Sequence, residues 1–164
     1  MLKKILIGSL IGLGALTASA SEIDINKELD VLADNVYFEA RGEGIAGWEM
    51  VTRVTLNRVA SSQFPDTISK VVHQKKGNVC QFSWYCDKNV QARIQKARKT
   101  KIWKDIREFV EGEYYEGNND GKKGDVLFYH HKRLSQKKLG LIKKVNHYAT
   151  VGQHKFYTLE SEGT

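Results

Sequence analysis

The sequence predicts an α+β fold, a mainly helical single domain with a small antiparallel sheet in its C-terminal third. Apolar residues recur at spacings of three and four in Leu29–Ala40 and again in Ile102–Val110, which is the period of an amphipathic helix. Val126–His130 and His147–Leu159 are instead rich in β-branched and aromatic residues, the composition of strands. At 164 residues the chain suits one core and leaves little room for a second.

The first twenty residues carry Lys3 and Lys4, an uncharged apolar run, and the triplet Ala18-Ser19-Ala20. That is the pattern of a secretory signal peptide, with the domain spanning 21–164. A retained anchor is the alternative, although Ile5–Ala20 falls short of the roughly 20 residues that cross a bilayer. The expected location is exported, periplasmic or at the cell wall, touching membrane only through this segment if it is uncleaved. Cleavage removes two lysines and no acid, so the formal charge changes from +7 to +5. A basic exported protein suits acidic wall polymers or lipid headgroups, and export argues against a nucleic-acid partner. The dense runs Lys96–Lys101 and Lys137–Lys144 read as solvated faces.

The first helix is expected from Leu29, with Asn26 as N-cap and an end at 42–44. The second spans Gly47–Val59, buried on all sides except a polar row of Glu49, Arg53 and Asn57. Pro65 marks a turn into a short helix, Thr67–His73. Residues 75–89 read as a structured loop, Val90–Tyr115 as helix in two pieces, and Glu116–Asp125 as a loop. The remainder supplies two or three antiparallel strands.

Chemistry concentrates in the stretch YFEARGEG, Tyr37–Gly44. Glu39 follows Val36 by three residues and Leu32 by seven, which places it on the flank of the apolar stripe near a helix C-terminus. Partial burial and the negative end of the helix dipole both raise a carboxyl pKa, so such a group can hold a proton near neutrality and deliver it. The competing reading pairs Glu39 and Glu43 with Arg41 or a lysine as a surface ion pair. Between Cys80 and Cys86 lies Gln81-Phe82-Ser83-Trp84-Tyr85, an aromatic and amide cluster suited to stacking on sugar rings or to anchoring a loop. The two cysteines fit a small-loop disulfide or two packed thiols. His130 and His131 are adjacent and so point to opposite strand faces, and with His147 and His154 they lack a metal-ligand spacing. No metal and no cofactor is expected, and the phosphate-loop, zinc-protease and nucleophile-elbow motifs are missing from the sequence.

Taken in order, YFEARGEG, LNRV (56–59), FPDTISKVV (64–72), QFSW (81–84), FYH (128–130) and VGQHKFY (151–157) resemble the SleB/CwlJ-type cell wall hydrolases, the spore-cortex lytic enzyme family. The resemblance spans about Leu32–Tyr157 and departs from the family pattern at Lys88, where a glycine is usual. It implies a lysozyme-like domain that cuts the glycan strands of peptidoglycan as a lytic transglycosylase or an N-acetylmuramidase-like glycosidase; the sequence leaves the oligomeric state open, with a monomer as the default. Glu39 then matches the catalytic acid, with Arg41 and Glu43 in support. Gln81, Ser83 and Trp84 would line the sugar groove, and Tyr129 and Tyr157 would face the same cleft. The alternative of a different class is a non-catalytic exported wall-binding module, suggested by the charge and the aromatic loop.

Overall fold

The computed structural model describes residues 24–116, 126–134 and 145–160. The signal-peptide segment, most of the 116–125 loop and the 137–144 basic run lie outside these residues. Helix α1 (Ile25–Ala40) is the central element, with Leu29, Leu32, Ala33 and Val36 fully buried. It begins earlier than the spacing predicts because Asp24, not Asn26, is the N-cap, accepting from Lys27 N at 3.3 Å. Around it pack α2 (Gly44–Ala60), α3 (Ile68–Val72), α4 (Val90–Arg98) and α5 (Lys101–Glu116). Thr67 caps α3 through Lys70 N.

The polar row of α2 is not its solvent stripe. Glu49, Arg53 and Asn57 are all half-buried, Arg53 is ion-paired with Glu49, and Asn57 Nδ2 donates 3.1 Å to Val126 O. The row therefore ties α2 to the sheet. That sheet contains β3 (Val126–His131), β4 (Val145–Val151) and β5 (His154–Leu159), antiparallel in the order β3-β5-β4. Met50 and Val54 of α2 meet Val126 and Phe156 in a second apolar cluster that fixes the sheet on the helices. On the far side of α1, buried Asp34 accepts from Arg98 at 2.6 and 3.1 Å and from Trp103 Nε1 at 2.9 Å, tying α1 to α4 and α5.

Residues 75–89 form a two-stranded ladder, β1 (Lys75–Lys76) and β2 (Val79–Cys80), followed by a 3-10 turn, Ser83–Cys86. Cys80 and Cys86 are disulfide-bonded with Cα atoms 5.8 Å apart, closing the loop around this turn. Such a short loop contributes about 2 kcal/mol through the entropy of the unfolded chain. Reduction, or Cys80→Ser with Cys86→Ser, is expected to lower the melting temperature by several degrees, which calorimetry with and without reductant measures.

Candidate active site

Glu39 stands in the last turn of α1, where the apolar stripe that fixes the helix leaves its side chain at the edge of the core. The residue keeps part of its surface open, but its carboxyl is largely desolvated, and this burial raises its pKa. Tyr129, His154 and Arg58 oppose the rise, while Glu43 adds to it. Burial prevails because an ionised carboxylate loses its hydration before any single neighbour replaces it.

The neighbours come from three elements. Tyr129 lies on β3, His154 on β5 and Arg58 near the end of α2. The Tyr129 hydroxyl is sealed from solvent and makes no well-formed hydrogen bond among the described residues. It is close enough to Glu39 that the carboxyl helps burial push the phenol well above its ordinary value. The phenol thus stands beside the carboxyl.

Arg58 is 2 % exposed. Its Nε donates 2.8 Å to Leu127 O, and its guanidinium lies 5.1 Å from the centroid of Phe64 and 5.3 Å from that of Phe82. With the Gln81 amide turned so that its oxygen faces the arginine, that oxygen accepts from both terminal nitrogens at 3.3 Å. Burial pulls the Arg58 pKa down to about 10, against the upward pull of Tyr129 and Glu39.

Glu43 is held by the β4–β5 turn and the start of β5. Its Oε1 accepts from Gln153 N at 3.1 Å, and His154 Nδ1 lies 3.1 and 3.2 Å from its two oxygens. Two glycines make room for it. A Cβ on Gly47 would meet Glu43 Cβ at 2.5 Å, and one on Gly152 would meet the Glu43 carboxyl at 2.7 Å. Gly152 also turns the β4–β5 hairpin at φ +55°, where side chains other than glycine are strained.

Several expected groove residues sit elsewhere. Trp84 is 4 % exposed. The 3-10 turn points its ring inward, stacked on Phe38 at 4.7 Å, with Nε1 donating 2.9 Å to Asn35. Asn35 in turn donates 3.1 Å to Thr55, so Trp84 braces α1 against α2 and offers no open face to a sugar. Tyr157 does not share a cleft with Tyr129: register pairs Tyr129 with Phe156 and Phe128 with Tyr157, placing the tyrosines on opposite sheet faces. Tyr157 is buried there, sharing a 2.9 Å hydrogen bond with His130. Arg41 is exposed, lies over the Tyr37 ring at 5.0 Å and donates to Tyr37 O, so Glu43 takes its partner from β5 and not from Arg41. Gln81 and Ser83 are exposed at the start of the disulfide loop, Gln81 against Arg58.

Sequence reading passed over Arg58, Gly152 and His154 as site members. The available signal for the first was the run LNRV at the end of α2, and for the others the run VGQHKFY at the terminal hairpin.

The fold recurs in solved structures. The catalytic domain of the germination-specific lytic transglycosylase SleB from Bacillus anthracis superposes with a TM-score of 0.56 at 24 % identity, over 80 % of this chain and 93 % of that domain. The Bacillus cereus SleB catalytic domain does so with a TM-score of 0.57 at 23 % identity, over 88 % and 99 %. In sequence, the spore cortex-lytic enzyme of Oceanobacillus iheyensis is 43 % identical over 49 residues, 30 % of this chain and 18 % of that enzyme. That of Bacillus cereus is 41 % identical over 49 residues, 30 % of this chain and 19 % of the relative. The match thus spans less than a fifth of these enzymes' length. The cell wall hydrolase pattern itself matches residues 42–157, from just after Glu39 through Glu43, Arg58, Gln81, Tyr129 and His154, and the chain belongs to that family.

Proposed function

We propose that this protein cleaves the glycan strands of peptidoglycan as a lytic transglycosylase, with Glu39 as both acid and base. The observation that carries this reading is the desolvated carboxyl of Glu39, whose acidic neighbour among the described residues, Glu43, is already engaged on both oxygens by Gln153 and His154. Hydrolysis with two carboxylates needs a second one about 5–9.5 Å from the first that attacks or activates water. Glu43, clamped against the β4–β5 turn, is assigned a supporting role and not this one.

Protonated Glu39 gives its proton to the glycosidic oxygen as the C1–O bond breaks and the sugar gains oxocarbenium character. The carboxylate left behind takes the proton of the same sugar's 6-hydroxyl as that oxygen bonds to C1, which returns Glu39 to its starting state without water. Gln81 and Ser83 are open to the polymer from the disulfide loop, and Arg41 from the helix end. A basic charge and the Lys3/Lys4 leader suit an exported enzyme working on an acidic wall polymer.

Mass spectrometry of the fragments released from isolated cell walls tests the reading. Anhydro-muramyl ends are the expected product. Reducing ends would replace transglycosylation by hydrolysis, and intact glycan with cut peptides would overturn both.

A further inference from the structure

The disulfide loop presents one polar group whose direction its neighbours dictate. Gln81 is exposed, and its backbone N–H donates 2.9 Å to Gln74 O. The loop sets it between two parts of the site. Phe82, the next residue, has its ring 6.4 Å from that of Tyr129 on β3. Trp84 stacks on Phe38, the residue before Glu39. A carboxamide has an acceptor oxygen on one side and two N–H donors on the other, whereas a guanidinium has donors only. The Gln81 oxygen therefore faces Arg58 and accepts from both of its terminal nitrogens at 3.3 Å. The guanidinium is itself fixed, since its Nε donates 2.8 Å to Leu127 O and the Phe64 and Phe82 rings lie against it. In this orientation the Gln81 N–H donors have no partner among the described residues.

We propose that Arg58 fixes the Gln81 carboxamide as a hydrogen-bond donor to the incoming strand, and that Gln81 thereby selects the N-acetyl carbonyl oxygen of the glycan's amino sugars. With its oxygen committed to the cation, Gln81 offers the strand only its NH2 group. An amide oxygen that accepts from a guanidinium also polarises the amide, which strengthens the N–H donors opposite. The matching group on an amino sugar is the amide carbonyl, an acceptor only, whereas hydroxyls donate and accept and so discriminate less. The same arrangement gives the buried arginine a task. Arg58 is 2 % exposed and forms no ion pair among the described residues, a costly state for a desolvated cation. Its return is an amide that cannot turn its acceptor outward.

This selectivity rests on the chain cleaving glycan strands, and the experiment separates the two claims. kcat and KM are measured on peptide-free glycan strands, either N-acetylated or de-N-acetylated, for the wild type, Gln81→Glu and Gln81→Met. Gln81→Glu keeps an oxygen for Arg58 but has no N–H to offer, so a residue that served only to satisfy the arginine would tolerate it. On acetylated strands its KM is expected to rise about tenfold with kcat within about twofold, the effect of one lost hydrogen bond. On de-N-acetylated strands the carbonyl is gone, and the KM of this variant is expected to equal that of the wild type or fall below it, because the exposed amine suits a carboxylate. Gln81→Met, with neither donor nor charge, is expected to show the same loss on acetylated strands and no difference from the wild type on de-N-acetylated ones. It also decides the matter if Gln81→Glu fails to fold. An unchanged KM on acetylated strands, or a loss of equal size on both strands, overturns the proposal and leaves the cleavage reading standing. Arg58→Met frees the amide to turn and is expected to lower the preference for acetylated strands several-fold; an unchanged preference in the folded variant overturns the orienting role. Failure of the wild type to cut either strand overturns the cleavage reading, and the substrate group named here with it.

Discussion

Glu39→Gln is expected to reduce wall cleavage by about 10³-fold or more, since a positioned general acid contributes about 10²–10⁴-fold and the proposed mechanism uses the same group as base. The amide preserves the side chain's size, so the fold is retained and circular dichroism should match the wild type. Stability adds an independent check. Burial raises the folded-state pKa of Glu39 above its ordinary 4.5, so the stability linked to this group is present in full below the ordinary value and is lost as pH rises through the folded value. The glutamine has no such dependence. Melting temperatures of wild type and variant should therefore diverge with rising pH in this window, the variant becoming relatively more stable. Parallel curves would show that the carboxyl is solvated, and retained cleavage would show that it is not the acid.

Gly152→Ala carries the second large effect. The new Cβ would come within 2.7 Å of the Glu43 carboxyl, at a backbone φ of +55°. Strain and overpacking together cost about 2–3 kcal/mol. They also push Glu43 off Gln153 N and His154, which loosens the joint between the α1–α2 junction and the sheet bearing Tyr129. Activity is expected to fall about 100-fold, since small misplacements in an active site have effects of this order. Gly77→Ala is the matched control. Gly77 has φ +60° with no atom within 4 Å of an added Cβ, so it carries the backbone strain of about 1 kcal/mol without the collision. Equal loss of activity in both variants would show that the Glu43 clamp does not position the site.

The local layers of this structure were legible in the residues. Spacing alone gave α1 and its burial, and Glu39 on the flank of the apolar stripe follows from the 3.6-residue period. Thr67 as the cap of α3, the break between α4 and α5, and the β-branched terminal strands are likewise short-range properties of the chain. The first cap was misplaced by two residues, at Asn26 instead of Asp24, because both side chains can accept from a nearby N–H and only the packing of Leu29 and Ile25 selects between them.

The site was readable as a neighbourhood and not as a set of contacts. That a carboxyl in YFEARGEG could work as an acid came from the sequence by itself, together with the helical order and the terminal hairpin. Tertiary structure decided which groups surround it. Glu43 meets a backbone N–H 110 residues away, Arg58 is buried against β3, and a one-residue step in strand register separates Tyr129 from Tyr157 onto opposite faces. Trp84 turned inward for a similar reason, its N–H finding Asn35 on a distant helix. Periodicity fixes which way a side chain leaves its own helix or strand, but the charge on a carboxyl depends on what the rest of the chain brings within a few ångströms of it, and that is set only when the elements pack.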